Sequence, residues 1–374
     1  MNRHLRILFI TRKYPPSVGG MERLSYQFVN NISKRAQVFV ISWSGSRIGL
    51  PWFLMYALGR GLYLARKADV LHAGDPVVGP VVWFLGRFYH LPIVVNVHGL
   101  DLVFDFPAYR LLISRLLPRF HRIVCISRAV YSKALEMGLE PERCRVIHPG
   151  IDMPSQVPER DLARRYIENW LKKPLANRQI WLTVGRLVAR KGVAWFCEQV
   201  LPRLRDIING FIYLIVGTGP EFQYIHKIIR RFNLTNHVYL LGLVDDKHLS
   251  WLYSGADAFI MPNIPQRYDM EGFGIVALEA AAYGLPVIAA RIDGIQDAVI
   301  EGESGYLLVP GDAEVWVNFL RSCLIHPSLL EDLRPRARSA VHSFFEWNKI
   351  IDSYMNMYYE IINDHSSNQL KKIF

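Results

Sequence analysis

The chain offers little to disulfide or metal chemistry. Its four cysteines, Cys125, Cys144, Cys197 and Cys323, are scattered, with no CxxC pair and no metal-ligand spacing. A disulfide framework is excluded as the basis of the fold, no metal is expected, and a reducing, cytoplasmic compartment is. No hydrophobic run approaches the ~20 residues that cross a bilayer. The run from Ile48 to Leu58 is closed by Arg60, and the later one is interrupted by Glu279 and Pro286. The start, MNRHLRILFITRKYPP, has a short apolar core followed by Arg12 and Lys13, so it reads as a first strand and not as a signal peptide.

Acidic residues are scarce in one half only. Residues 1–155 carry 20 Lys and Arg against 9 Asp and Glu, which accounts for the whole formal charge of +11; residues 156–374 balance at 24 and 24. The first half is therefore expected to face something anionic, such as a membrane surface or a phosphorylated lipid. The basic residues are spread out, with no aromatic-basic motif and no recognition-helix unit, so nucleic acid is not expected as a partner.

The 374 residues are enough for two domains, and two series of strands and helices appear. The first comprises LRILFIT, AQVFVIS, ADVLHA, PIVVNVHG, RIVCIS and CRVIHPG; the second IWLTVGR, FIYLIVGTGP, HVYLLGLV, DAFIMP and PVIAAR. Continuous apolar strands alternating with helices predict parallel, doubly wound sheets with both faces covered. The reading is α/β, two Rossmann-like domains at 1–155 and 156–345, with an aromatic-rich helix from 346 and a polar tail, Asn363 to Lys372, expected to fray.

The segment EGFGIVALE carries two acids, Glu271 and Glu279, on either side of a glycine loop. The helix is expected to start near Ile275, with Glu271 in the loop before it. Free N–H groups at a helix start bind anions, and glycine lets a ligand approach the backbone. This suits a diphosphate on the amides of Gly272 to Val276, with carboxylates accepting from sugar hydroxyls. Arg186 and Lys191 of GRLVARKG supply cations. VGTGP is a tight turn at the same sheet edge but does not match GxGxxG, which weighs against a nicotinamide cofactor. VDDK at 244–247 reads as a helix start.

These pieces, in this order and over nearly the whole chain, resemble the family 4 retaining glycosyltransferases of the two-domain GT-B type, group 1 glycosyl transferases. The most specific element is the E-x7-E pattern of EGFGIVALE; PPSVGGMERLSYQFVNNIS, VHGLD, CISR and HPGID extend the likeness to the first half. The resemblance implies two sheets facing a central cleft. It implies a nucleotide sugar, UDP- or GDP-linked, as co-substrate without any cofactor, and a hydroxyl acceptor, lipid-linked or an anionic glycan, on the first domain. Residue by residue, it implies that Gly185, Arg186 and Lys191 bind the donor diphosphate and that Glu271 contacts the transferred sugar beside Gly272, Phe273, Gly274 and Ile275. Glu279 would bind the ribose, Val244 would meet the base, Gly19 and Gly20 would approach the diphosphate, and His98 would sit near the anomeric carbon. The final helix would cross back to the first domain.

One departure stands out. The stretch NIPQRYDM, 263–270, is longer than the family's usual connection, and Arg267 and Asp269 lie within it. Two stretches of the first half, IGLPWFLMYALGRGLYLARK and YRLLISRLLPRFHRIV, combine apolar and basic residues as membrane-surface helices do. His72, His90, His121 and His148 lack partners at catalytic spacing and read as structural. A sugar-nucleotide epimerase or phosphorylase of the same fold, and a basic nucleic-acid-binding protein, are the alternatives at this stage.

Overall fold

The computed structural model describes residues 4–370 except 18, 46, 176, 177, 206, 208 and 209; side chains are described at all of these but 47 and 368–370. The chain divides into two units, one comprising Met1–Gly150 with Phe345–Phe374, the other Ile151–Phe344. The first division thus falls at Gly150 rather than 155.

In the first unit, β1 (Arg6–Thr11), β2 (Gln37–Ser42), β3 (Val70–Ala73), β4 (Ile93–Val97), β5 (Arg122–Cys125) and β6 (Cys144–Val146) form one sheet of order β2-β1-β3-β4-β5-β6. Every pairing is parallel. Ile7, Leu8, Phe9 and Ile10 are all buried, on both faces of β1, as helices covering both sides require. The second unit repeats the plan with β7 (Gln179–Val184), β8 (Phe211–Val216), β9 (Val238–Gly242), β10 (Ala258–Met261), β11 (Val287–Ala290) and β12 (Gly305–Leu308), in the order β12-β11-β10-β7-β8-β9. These pairings are parallel too. β12 is not among the strands expected from the sequence. It is short and opens on Gly305, where a Cβ would come within 1.9 Å of the Val287 carbonyl oxygen, so strand propensity is weakest where the sheet demands a glycine.

The basic stretch 109–124 is not one helix. The helix Pro107–Leu116 ends in a tight turn, Leu117–Arg119, and Arg122 already belongs to β5. Pro118 has no N–H to continue the ladder. Among the described residues no helix is long and apolar enough to cross a membrane.

The final helix, Trp347–Leu370, packs on the first unit. Its Tyr354 ring lies 4.8 Å from that of Phe28, and Gly150 passes so close to Trp347 that a Cβ would come within 2.4 Å of the indole. His72, fully buried on β3, bridges the helix to the sheet: its Nε2 lies 2.9 Å from Asn96 Oδ1 and its Nδ1 2.5 Å from the Tyr358 hydroxyl. The carboxamide oxygen only accepts, so Nε2 carries the proton and Nδ1 accepts from Tyr358. Burial pulls the His72 pKa down to about 4. The tail is helical beyond Asn363, as far as Leu370, contrary to the expectation of fraying; Ser366 and Ser367 return hydrogen bonds to the carbonyls of Ile362 and Asn363. Residues 371–374 lie outside the described residues.

Candidate functional site

In doubly wound sheets ligands bind beyond the carboxyl ends of the strands, where the strand order reverses. In the second unit that point lies between β7 and β10. The turn after β7 and the loop after β10 are joined there. Gly192 has φ +66°, and a Cβ on it would come within 1.9 Å of the Pro262 carbonyl oxygen. Ile264 N–H donates to the Arg190 carbonyl at 3.0 Å. The VGTGP turn packs on the same place: a Cβ on Gly217, at φ +132°, would meet the Gly185 oxygen at 1.9 Å.

This scaffold brings Lys191 onto Glu271, with Nζ 2.6 Å from Oε2. Asn263 Nδ2 donates to the same oxygen at 3.2 Å, and Arg190 Nε stands 3.6 Å away. Burial pushes the Glu271 pKa up, but Lys191, then Arg190, and the hydrogen bonds from Lys191 and Asn263 outweigh it and hold the carboxyl below its usual range. Glu271 is ionised at neutral pH. Its own N–H donates to Asp293 Oδ2 at 3.0 Å, and Gly294 N–H donates to its carbonyl at 3.0 Å. Burial raises the pKa of Asp293, and the neighbouring Glu271 charge adds to the rise. Arg186, two residues beyond β7, is exposed, and its guanidinium meets no partner among the described residues. Gly185, Arg186, Lys191, Pro262, Asn263 and Val276 line one cavity.

The helix Ile275–Ala282 begins where the spacing predicts. Gly274 precedes it at φ +86°, and Phe273 is buried. Glu279, in the second turn, is half-buried rather than enclosed, and Tyr253 donates to its Oε2 at 3.3 Å. Val244 is half-buried just past β9, beside an exposed Leu243. Asp245 caps the following helix by accepting from His248 N–H at 2.8 Å.

Gly19, Gly20 and His98 belong to the first unit. Gly19 and Gly20 are exposed where the loop after β1 enters the helix Gly20–Ile32. His98 follows β4; its Nε2 donates to the Gly74 carbonyl at 2.9 Å. The His98 N–H donates to Asp101 Oδ2 at 3.0 Å. Asp101 is enclosed, and burial raises its pKa.

Two known families match the chain. The one described as Glycosyltransferase Family 4 matches residues 9–153, and the one described as Glycosyl transferases group 1 matches 167–340. Together they account for most of both units. The chain is a family 4, group 1 glycosyltransferase.

Relatives of this glycosyltransferase include a Mycolicibacterium smegmatis protein named GDP-mannose-dependent alpha-(1-6)-phosphatidylinositol monomannoside mannosyltransferase, 25% identical over 86% of this chain and 90% of that one. A Mycobacterium tuberculosis glycogen synthase is 27% identical over 78% of this chain and 69% of its own length. Among solved structures, sucrose-phosphate synthase from Thermosynechococcus elongatus superposes with a TM-score of 0.80 at 21% identity, covering 96% of this chain and all of that one. Anabaena HepE in complex with UDP and glucose gives 0.76 at 20%, with the same coverage. Both share the GT-B fold, two Rossmann-like domains.

Four residues of the candidate site are not marked by the sequence pattern: Arg190, Asn263, Asp293 and Tyr253. Asn263 and Asp293 each stand just past a strand's carboxyl end, a position that would have flagged them. Tyr253 lies inside the helix Asp246–Gly255, and only the tertiary fold brings it to Glu279.

Proposed function

We propose that this enzyme moves a sugar from a UDP- or GDP-linked donor to a hydroxyl acceptor, with retention of configuration and without a metal. We further propose that it works peripherally at the cytoplasmic face of a membrane, in the synthesis of a cell-envelope polysaccharide, lipopolysaccharide or glycolipid. The observation that carries the reading is the arrangement around the β7/β10 switch point. An unengaged Arg186, a Lys191 on a short tether and the open start of the helix Ile275–Ala282 converge beside an ionised Glu271.

Breaking a sugar–phosphate bond leaves negative charge on the diphosphate and positive charge on the sugar. Fixed cations and amide dipoles aimed at the leaving group stabilise that transition state most. Arg186, Lys191 and the amides of Gly272 to Val276 do this, and Gly185 lets the phosphates approach the backbone. Glu271 accepts from hydroxyls of the transferred sugar beside Phe273, Gly274 and Ile275. Glu279 accepts from the ribose, and the backbone at Val244 meets the base. Gly19 and Gly20 approach the diphosphate, and His98, its Nε2 fixed on Gly74, serves the reacting face of the sugar.

Glu271 is engaged by Lys191 and Asn263, so it is poorly suited to attack the anomeric carbon. Departure of the diphosphate and entry of the acceptor on one face follow as the route. A relative named for GDP-mannose and a phosphatidylinositol-linked acceptor supports a lipid-borne acceptor here. The test is turnover of nucleotide sugars in the presence of a chelator, with NMR of the first-formed linkage. Free nucleoside diphosphate and a retained anomer are expected; an inverted product, or activity lost to the chelator, would sink this mechanism.

A further inference from the structure

Lys191 is committed twice. It closes on Glu271 at 2.6 Å, yet a donor diphosphate needs the same ammonium. Drawing it away would leave Glu271, whose side chain is 12% exposed, short of its main counter-charge. An uncompensated carboxylate in such a place is strongly unfavourable.

Arg190 stands ready beside it. Its side chain is only 25% exposed, and its Nε is enclosed without a hydrogen-bond partner, 3.6 Å from the same Glu271 oxygen that Lys191 holds. Buried donors are normally satisfied, so an orphaned guanidinium N–H facing a carboxylate just beyond bonding distance marks an interaction waiting to be completed. Arg190 Nη1 donates to Asp269 Oδ2 at 3.2 Å. Asp269 belongs to the inserted loop 263–270, which turns back on itself through a bridge between Gln266 and Asp269 and is tied at its base by Ile264 N–H on the Arg190 carbonyl.

We propose that Arg190 is a positioning residue that takes over Glu271 when the donor diphosphate draws Lys191 away, and that Asp269 of the inserted loop holds it in readiness. The donor thus exchanges the partner of the sugar-gripping carboxylate instead of stranding it. The loop 263–270 acquires a purpose: it anchors the replacement cation. This rests on the donor reading given above.

The experiment is steady-state kinetics against pH for wild type, Arg190→Gln, Arg190→Lys and Asp269→Asn, with the donor varied. The acid limb of kcat reports the donor-bound enzyme and that of kcat/KM the free enzyme. Arg190→Gln is expected to lower kcat at least tenfold and to move the acid limb of kcat upward by about one unit. The limb of kcat/KM should move less, because Lys191 still holds Glu271 in the free enzyme. Arg190→Lys should restore most of kcat, and Asp269→Asn, on a half-exposed loop, should shift the kcat limb in the same direction by less. Equal shifts in both limbs, no shift in either, or Arg190→Lys no better than Arg190→Gln would overturn the exchange. Should Arg190→Gln not fold, an unmoved kcat limb in Asp269→Asn would overturn it. Wild-type enzyme that turns over no nucleotide sugar would instead overturn the donor reading itself.

Discussion

Lys191 and Glu271 form an ion pair whose members, on the proposed donor reading, are each needed by a substrate group of opposite character. Removing either should be felt in the reaction more than in the fold. In Lys191→Ala, Glu271 keeps Asn263 and the nearby Arg190. In Glu271→Ala, Lys191 lies 14% exposed and can turn toward water. Loss of one leaving-group donor typically costs 10²–10³ in rate. Both variants are expected to lose at least about 100-fold in transfer while keeping their far-ultraviolet circular dichroism and a cooperative melt. Wild-type rates in both would remove this pair from the site. At this scale the sequence was informative wherever a residue's role follows from its neighbours in the chain, as with Glu271 before Gly-Phe-Gly. It was silent on Arg190, which reads as an ordinary surface cation until the loop 263–270 folds over it.

Among the elements, the final helix depends on a titratable group. His72 is held neutral by burial, with its pKa near 4 against an ordinary 6.5, and His121, desolvated and close to His365, is lowered to the same value. As pH falls through 6.5 the unfolded chain takes up these protons and the folded chain does not. The stabilisation is complete above 6.5, declines from there, and is lost by about pH 4. Each pKa unit is worth about 1.4 kcal/mol, so the effect is large beside a typical domain stability. Between pH 7 and 4.5 the melting temperature should drop, and His72→Gln, which keeps a donor and an acceptor but cannot titrate, should flatten that drop. Equal slopes in the two proteins would show that His72 does not gate the helix. The periodicity of the helix is legible in the sequence; its partner is not, because nothing in residues 347–370 names β3 and β4 as the surface beneath.

The charge asymmetry of the whole molecule gains a definite address on the first unit. No acidic residue occurs between Glu22 and Asp69, nor between Asp75 and Asp101. These intervals contain the helices Leu50–Ala65 and Gly79–Tyr89, which pack together: Leu85 occupies the space above Gly61, and the Tyr89 hydroxyl donates to the Leu62 carbonyl at 2.7 Å. Outward they present Trp52 (74% exposed), Met55, Tyr56, Tyr63, Phe84 and Phe88, interleaved with Arg60, Arg66, Lys67 and Arg87. Aromatic side chains with cations and no acid match the interface of an anionic bilayer, where each basic residue contributes about 1 kcal/mol. The protein is expected to float with phosphatidylglycerol vesicles at low salt, to be released near 1 M salt, where screening shortens to about 3 Å, and to ignore phosphatidylcholine. Trp52→Ser combined with Arg60→Ser should weaken flotation; no binding to the anionic vesicles would remove the membrane from the proposal.

By itself the sequence determined the two parallel sheets, the start of the helix Ile275–Ala282 and the glycines of the site, because each is written in local spacing: continuous apolar strands, a glycine loop ahead of a helix, turns that only glycine can make. The tertiary structure alone decided which charges meet. Lys191, Asn263, Glu271 and Asp293 come from three separate strand ends, and their pairing follows from the reversal of strand order between β7 and β10, a long-range property that no window of residues contains. The same reversal set Arg190 within reach of the carboxylate it is proposed to inherit.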